Sequence, residues 1–324
     1  MNSIAVLVTG GAGYIGSHTC KALASAGYLP VTLDNLSTGA AQLVKWGPLE
    51  VGDIRDVDFT TKILRKYDIK AVVHFAADAY VGESMIDPLK YYSNNVVGML
   101  TLAQAMVQVG VCKIVFSSSC ATYGTALEAP IIESDTQLPI NPYGRTKLIC
   151  EQILRDLGAS SEVRHVALRY FNAAGADIAG ETGEIHHPET HLIPLAMRAA
   201  RGSQTLTIFG NDFDTPDGTA IRDYIHVCDL ADAHVLALKY LIAGGESTAL
   251  NLGTGTGISV LGIIIALEKL GHTVPYRISS RRSGDPARLV ANPLKAKAVL
   301  NWCPKQSSIE NILSTAWAWD SRQS

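Results

Sequence analysis

Tyr143 and Lys147 stand four residues apart in Asn141-Pro142-Tyr143-Gly144-Arg145-Thr146-Lys147, so a helix would place both side chains on one face. Asn141 suits the cap of such a helix and Pro142 its first position. An ammonium beside a phenol favours the phenolate, lowering it from its ordinary value of about 10 and making tyrosine a usable general base. Upstream, Ser117-Ser118-Ser119 closes the apolar run Lys113-Ile114-Val115-Phe116. Hydroxyls at a strand end serve either chemistry or only the turn that follows. The third group is Gly10, Gly13 and Gly16, between the β-branched run Ile4–Val8 and helically spaced Ile15, Thr19, Ala22, Leu23 and Ala26. Gly10 permits a tight turn, Gly13 lets a pyrophosphate approach the backbone, and Gly16 lets the helix pack against its strand. The helix start adds free N–H groups and the positive end of a dipole.

These groups need a common platform, and the sequence offers one. Val31-Thr32-Leu33 ends in Asp34, 18 residues after Gly16, where an acid bonds a ribose and repels a 2′-phosphate; this favours NAD over NADP, the plainer alternative being a turn acid before Asn35. After Leu49-Glu50-Val51, Asp53 and Ile54 are placed to flank an adenine; equally, Asp53 or Asp56 caps a helix Val57–Tyr67. Ala71–Ala77 reads as a strand buried on both faces, with Ala76 and Ala77 leaving room at its end and His74 structural. Pro88–Val109 predicts one long helix carrying Tyr91, Asn94, Val97, Leu100 and Met106, with an apolar band wider than one core face requires. That band and the one on Lys147–Leu157 either meet a second copy of the chain or are covered by the chain itself. Past Arg169 the signals shorten, predicting a smaller α/β lobe around Leu192–Arg201, Leu206–Phe209, Leu230–Leu241 and Val274–Ser279. The fold expected is α/β: a Rossmann-like, doubly wound parallel sheet over residues 1–170, completed by returning segments, and a C-terminal substrate lobe over 171–324 with a ligand cleft between them.

The 324 residues carry a formal charge of -3 and no basic stripe, which gives no support to nucleic acid or an anionic membrane as partner. No apolar run has membrane-spanning length and the chain opens directly on a strand, so the cytoplasm is the expected location. Cys20, Cys112, Cys120, Cys150, Cys228 and Cys303 form no Cys-x-x-Cys pair, and neither a disulfide framework nor a metal site is expected. Arg222, Arg281 and Arg282 are candidates to grip a diphosphate, although single arginines are more often solvated surface.

Gly10-x-x-Gly13-x-x-Gly16, Ser119 and Tyr143-x-x-x-Lys147 together resemble the extended short-chain dehydrogenase/reductase superfamily. Val8–His18, Leu33–Leu36, Gly52–Arg55, His74–Ala77, Val81–Ser84, Leu168–Asn172, Ile208–Asp212, Arg222–Val227, Asn251–Gly255, Ser283–Asp285 and Leu300–Trp302 narrow the resemblance to the UDP-glucose 4-epimerase family, over nearly the whole chain. The resemblance implies an NAD site that adds Tyr14, Ile15, Asn35, Phe75, Asn94, Ser117 and Phe171 to the residues above. For a UDP-sugar it implies Asn172, Leu192, Arg222, Tyr224, Arg282 and Asp285, alongside Ser119 and Tyr143. It also implies a homodimer through paired helices. In this reading Ser119 bonds the reacting oxygen, Tyr143 is the base, and Lys147 lowers the tyrosine and holds a ribose.

Three departures from the family pattern stand out. Asp78-Ala79-Tyr80 replaces a lysine-bearing segment, Thr190-His191-Leu192 stands where many members have Asn-Asn-Leu, so that His191 becomes the donor to a phosphate or sugar oxygen, and Leu289 occupies a position that tunes room for a 2-acetamido group. Cys120-Ala121 stands where sugar-nucleotide dehydratases carry an Asp-Glu pair, and Asp34 disfavours an NADPH reductase. An epimerase of UDP-pentoses or UDP-N-acetylhexosamines is the enzymatic alternative, and an NAD-sensing binding protein the non-enzymatic one.

Overall fold

The structure is a computed structural model describing residues 3–125, 130–186, 188–282 and 285–323. Ser283 and Gly284, from one of the motifs above, lie outside the described residues. In chain order the strands are β1 (Ala5–Thr9), β2 (Leu29–Asp34), β3 (Leu49–Val51), β4 (Ala71–His74), β5 (Lys113–Ser119), β6 (Arg164–Tyr170), β7 (Asn172–Ala174), β8 (Leu206–Phe209), β9 (Ile221–Arg222), β10 (Tyr224–His226), β11 (Thr248–Leu252), β12 (Ile258–Ser259), β13 (Tyr276–Ser279) and β14 (Arg288–Leu289). The helices are α1 (Tyr14–Ser25), α2 (Val57–Lys66), α3 (Val81–Ile86), α4 (Pro88–Tyr91), α5 (Gly98–Val109), α6 (Pro142–Ser160), α7 (Leu192–Ala200), α8 (Val227–Ile242), α9 (Val260–Lys269), α10 (Leu294–Leu300) and α11 (Ile309–Gln323).

Seven strands form one parallel sheet in the order β3-β2-β1-β4-β5-β6-β11. Successive side chains of a strand face opposite ways, and β1 shows what that does to its sequence. Val6 and Val8 pack with Cys20 and Leu23 of α1, with Leu230, Ala237 and Leu241 of α8, and with Ala296 of α10. Ala5 and Leu7 pack on the other face with Leu64 of α2, Met99 and Met106 of α5, and Cys150 and Leu154 of α6. All of β1 and β4 is therefore buried, which explains their unbroken apolar runs. The chain leaves β1 for β2 on one side and reaches β4 on the other, so a crevice opens at the carboxyl ends between them.

The smaller strands stand apart: β7 with β10, β12 with β9 and β14, and β8 with β13. They join α7, α9 and α11 around a separate core containing Ile193, Met197, Ile208, Ile263, Leu267 and Leu313. Leu230–Leu241 corrects the expectation for this lobe. It belongs to α8, buried along most of its length against α1 and the large sheet, because its apolar residues wrap too much of the helix to face only a small lobe.

Pro88–Val109 also departs from a single regular helix. Residues Tyr92–Val97 form a π-helical segment between α4 and α5. Buried Asn95 accounts for the widening: its side chain accepts from the Asp78 N–H at 2.8 Å and donates to the Asp78 carbonyl and the Thr146 hydroxyl, both at 3.0 Å. Such bulges recur where a helix must aim side chains at a site. Asp56 caps α2, accepting from the Phe59 N–H at 2.9 Å.

Two glycines set the first turn. Gly10 has φ +72°, and a Cβ there would lie 2.6 Å from the Ala76 nitrogen. At Gly16 a Cβ would fall 2.2 Å from the Gly10 carbonyl oxygen. Neither obstacle is a flexible side-chain tip, so Gly16→Ala should lower the urea-unfolding stability by about 1–3 kcal/mol, the range for overpacking a tight contact. An unchanged midpoint would show that α1 does not depend on this approach.

Candidate active site

The crevice contains a cavity of about 430 Å³ lined by residues from both groups of elements. At its floor, α1 begins at Gly13 with no side chain capping it, so its first N–H groups meet the cavity without an internal acceptor. Gly10, Gly13, Tyr14, Ile15 and Gly16 all line this part. A Cβ on Gly13 would touch only the Gly10 carbonyl, at 3.3 Å, so its lack of a side chain leaves the space beside it to a ligand.

Asp34 closes the end of β2. Its carboxylate accepts from the Ala12 N–H at 3.0 Å and the Leu36 N–H at 2.9 Å, which locks it beside the glycine turn. Burial raises its pKa, with the two backbone donors opposing. Asn35, Ile54, Phe75, Ala76 and Ala77 continue the wall beyond Asp34, and Asn94 of the π-helical segment joins them. Asp53 does not line the cavity: it forms an ion pair with Arg55 at 2.6 Å, which holds its carboxyl down at about 2. An Asp-x-Arg segment folds back on itself more cheaply than it holds a lone acid toward a ligand.

Tyr143, Lys147, Ser117 and Ser119 line the opposite wall. Asn141 caps α6 through the Gly144 N–H at 2.8 Å, and Pro142 occupies the first turn. Ser119 accepts from the Ala121 N–H at 3.1 Å, and its hydroxyl also bonds Tyr143. The Lys147 ammonium donates to the Ser117 carbonyl at 2.7 Å and lies 5.8 Å from the centre of the Tyr143 ring. Here the electrostatic expectation is corrected: desolvation dominates and pushes Tyr143 up to about 12, with only the Ser119 hydrogen bond pulling it back. Desolvation also draws Lys147 down to about 8. The lysine donates to a backbone carbonyl, and its charge beside the ring does not offset the desolvation of the phenol.

Behind this wall, Glu151 lies one turn beyond Lys147. It is sealed from solvent and ion-paired with Arg169 of β6 at 2.6 Å, while accepting from the Ser118 hydroxyl of β5. Arg169 further donates to the Tyr123 hydroxyl at 2.8 Å and the Glu133 carbonyl at 3.1 Å. His74, bonded to Thr9 at 2.6 Å and driven by burial to about 3, is structural, as the sequence suggested.

From the second half, Phe171, Asn172, His191, Leu192 and Tyr224 reach the cavity. Asn172 and Tyr224 face each other across β7 and β10. Arg222, Arg282 and Asp285 do not line it. Arg222 donates to the carbonyls of Ile221 and Pro286, both at 2.9 Å, and lies 3.7 Å from Asp285; Arg282 stacks 3.9 Å over the Phe209 ring. Arg281 is held by Asp212 at 2.6 Å. Leu289 packs against the cluster of Tyr123, Ile131, Phe171 and Ala291. Asp78, Tyr80, Glu184 and His186 also line the cavity without having been assigned a site role from the sequence. Asp78 lies 3.7 Å from the Lys90 ammonium.

A glycine turn feeding an uncapped helix, an acid at the next strand end and a Ser-Tyr-Lys wall define a dinucleotide-binding α/β protein of the oxidoreductase-like type. Residues 6–253 match the NAD dependent epimerase/dehydratase family, and the chain belongs to that family. It is 55% identical over 321 residues to UDP-glucose 4-epimerase of Rhizobium meliloti, covering 98% of this chain and 97% of that one. The structure of UDP-glucose 4-epimerase from Brucella ovis in complex with NAD superimposes with a TM-score of 0.96 at 52% identity, covering 98% of each chain. One from Stenotrophomonas maltophila, with bound NAD and formylated UDP-arabinopyranose, gives 0.96 at 40% identity over 99% of this chain and 100% of that one.

The depressed pKa of Lys147 has a consequence for stability. Its folded value of about 8 lies below the roughly 10.4 of an unfolded lysine, so between these values the unfolded chain binds the extra proton. Stability therefore rises with pH across that window and carries the full penalty below it. Urea unfolding should show the parent gaining on Lys147→Met from pH 8 to pH 10; a difference independent of pH would contradict this burial effect.

Proposed function

We propose that this chain interconverts UDP-glucose and UDP-galactose by inverting C4 of the hexose through a 4-keto intermediate, with NAD as bound cofactor. The observation that carries the reading is one cavity shared by the uncapped start of α1, Asp34 and the Ser119-Tyr143-Lys147 wall. Gly10, Gly13, Gly16 and Asp34 fit a dinucleotide without a 2′-phosphate, its pyrophosphate at the helix start and its ribose at the acid. When bound, NAD supplies a hydride acceptor and donor, and in its oxidised form a cationic ring that favours the phenolate. Tyr143 takes the proton of the C4 hydroxyl and later returns one, Ser119 holds the same oxygen by hydrogen bond, and Lys147 supplies a cation and a ribose donor. Asn172, Leu192 and Tyr224 belong to the sugar-nucleotide side, and His191 donates to a phosphate or sugar oxygen. Arg222, Arg282 and Asp285 take the diphosphate and uridine ribose once their present partners are exchanged. Cys120 and Ala121 offer no acid-base pair for water elimination, which favours epimerisation over dehydration.

A UDP-pentose or UDP-N-acetylhexosamine is the second reading. Leu289, packed against Phe171 in the cavity wall, is of intermediate size and leaves sugar breadth to be set by its neighbours. NMR of the anomeric protons after mixing the chain with UDP-galactose should show UDP-glucose, and Tyr143→Phe should cut the rate by about 10²–10⁴ while retaining NAD. Undiminished turnover in Tyr143→Phe would sink the mechanism. No turnover by the parent, even with added NAD, would favour another UDP-sugar or an NAD-binding protein without catalysis.

The reading extends to a homodimer in the cytoplasm, joined through α5 and α6. Leu100 and Val107 stand exposed on α5 and flank a shallow groove shared with Ile153 and Leu157 of α6. All six thiols are free, as a reducing compartment maintains them. No described helix is long and apolar enough to cross a membrane. Sedimentation velocity at micromolar concentration should give twice the mass of the chain, and a monomer would remove the dimer.

A further inference from the structure

The segment entering α7 carries a second constellation, of which the proposed epimerisation uses His191 alone. Glu184, His186, Glu189 and His191 each present a ligand atom, and these atoms all lie within 4.8 Å of one another. Glu184 Oε1 is 2.8 Å from His186 Nδ1 and 2.6 Å from His191 Nδ1, while Glu189 Oε1 is 3.3 Å from His191 Nδ1. Both carboxylates are largely withdrawn from solvent, and among the described residues neither is paired with a lysine or arginine. Two carboxylates in such a place need cationic charge, and among the described residues two imidazoles stand ready to provide it.

We propose that these four side chains form a binding site for one divalent transition-metal ion of the zinc type. Two imidazole nitrogens and two carboxylate oxygens suit zinc or cobalt, and such ions take four ligands at about 2.0–2.2 Å. Tetrahedral ligands at that radius lie about 3.4 Å apart, so the two short contacts of Glu184 open by about 0.7 Å while the widest separations, within 4.8 Å, close by up to about 1.4 Å. The proton held in each imidazole-carboxylate contact leaves as the ion enters. The surroundings preset the ligands: Glu189 accepts from the N–H groups of Thr190 and His191, both at 2.7 Å, and the His186 ring sits edge-on to Tyr14 and Tyr80 at 6.3 and 5.7 Å. Because three of the four ligands line the cavity, the ion would present its charge to whatever anionic group lies there. In sequence the set reads Glu-x-His-x-x-Glu-x-His, with no cysteine among its ligands.

The full chain, stripped with a chelator, would be titrated with Co2+ and followed by visible absorption, with Zn2+ then added in competition. The proposal expects one Co2+ per chain with the intense visible bands of tetrahedral coordination, displaced stoichiometrically by Zn2+. His186→Ala and Glu184→Gln should each weaken binding at least tenfold, with far-ultraviolet circular dichroism confirming that they fold; Cys303→Ser, which removes an exposed thiol, should bind as the parent does. Absence of a saturable one-to-one signal in the parent overturns the site whatever the variants do. Retention of the bands in folded His186→Ala, or their loss in Cys303→Ser, assigns the ion elsewhere and overturns it equally. None of these readouts depends on turnover of a UDP-sugar.

Discussion

Glu151 and Arg169 are both nearly excluded from water, and withdrawing two opposite charges from solvent costs several kcal/mol per ion unless geometry and further hydrogen bonds offset it. Here they do. Two contacts join guanidinium and carboxylate, at 2.9 and 2.6 Å, and the remaining capacity goes to Ser118, Gln137, Tyr123 and the Glu133 carbonyl. The pair is the rivet between α6 and strands β5 and β6. Since Tyr143, Lys147 and Glu151 follow one another at four-residue intervals on α6, fixing Glu151 fixes the rotation and depth of the helix. Ser119 belongs to the strand held by the same carboxylate, so the relation of the hydroxyl to the phenol follows from a contact outside the cavity. An apolar trio of similar volume could match the stability, but it would lack the directional bonds that set this register.

The cavity is therefore held in a state poised against its own charges. Tyr143 is pushed toward the neutral phenol and Lys147 toward the neutral amine, both by desolvation. Asp34 is held by two backbone N–H groups although burial opposes its charge. The polar groups are oriented in advance by the scaffold, while the charge that would complete them comes from bound molecules. Preorganised dipoles of this kind avoid reorganisation during a reaction.

The large sheet was legible because parallel strands covered on both faces need uninterrupted apolar runs, and Ala5–Thr9 and Ala71–His74 have them. The glycine turn was legible because only glycine tolerates the approach of Gly16 to the Gly10 carbonyl. What escaped depended on contacts between distant parts of the chain. The π-helical turn follows from Asn95 meeting Asp78 and Thr146, and no local period signals that. The placement of α8 on the sheet needed knowledge of its neighbours, since a broadly apolar helix fits either core. Lys147 and Tyr143 have the predicted spacing, but the carbonyl of Ser117 that captures the ammonium belongs to another element. Asp53 turns to Arg55, two residues away, instead of lining the cavity, a local attraction that strand-end position alone does not signal.

Strand β11 adds a further consequence. It seals the edge of β6, and the ladder runs from Thr248 opposite Val166 to Leu252 opposite Tyr170. The segment that closes the first-built sheet is thus synthesised some eighty residues after the strand it covers, with α8 just before it. During translation the β6 edge and the apolar surface awaiting α8 stay open to water until those segments emerge. The nascent chain is therefore exposed to wrong pairing at one defined edge, and the protein's halves cannot mature strictly one after the other.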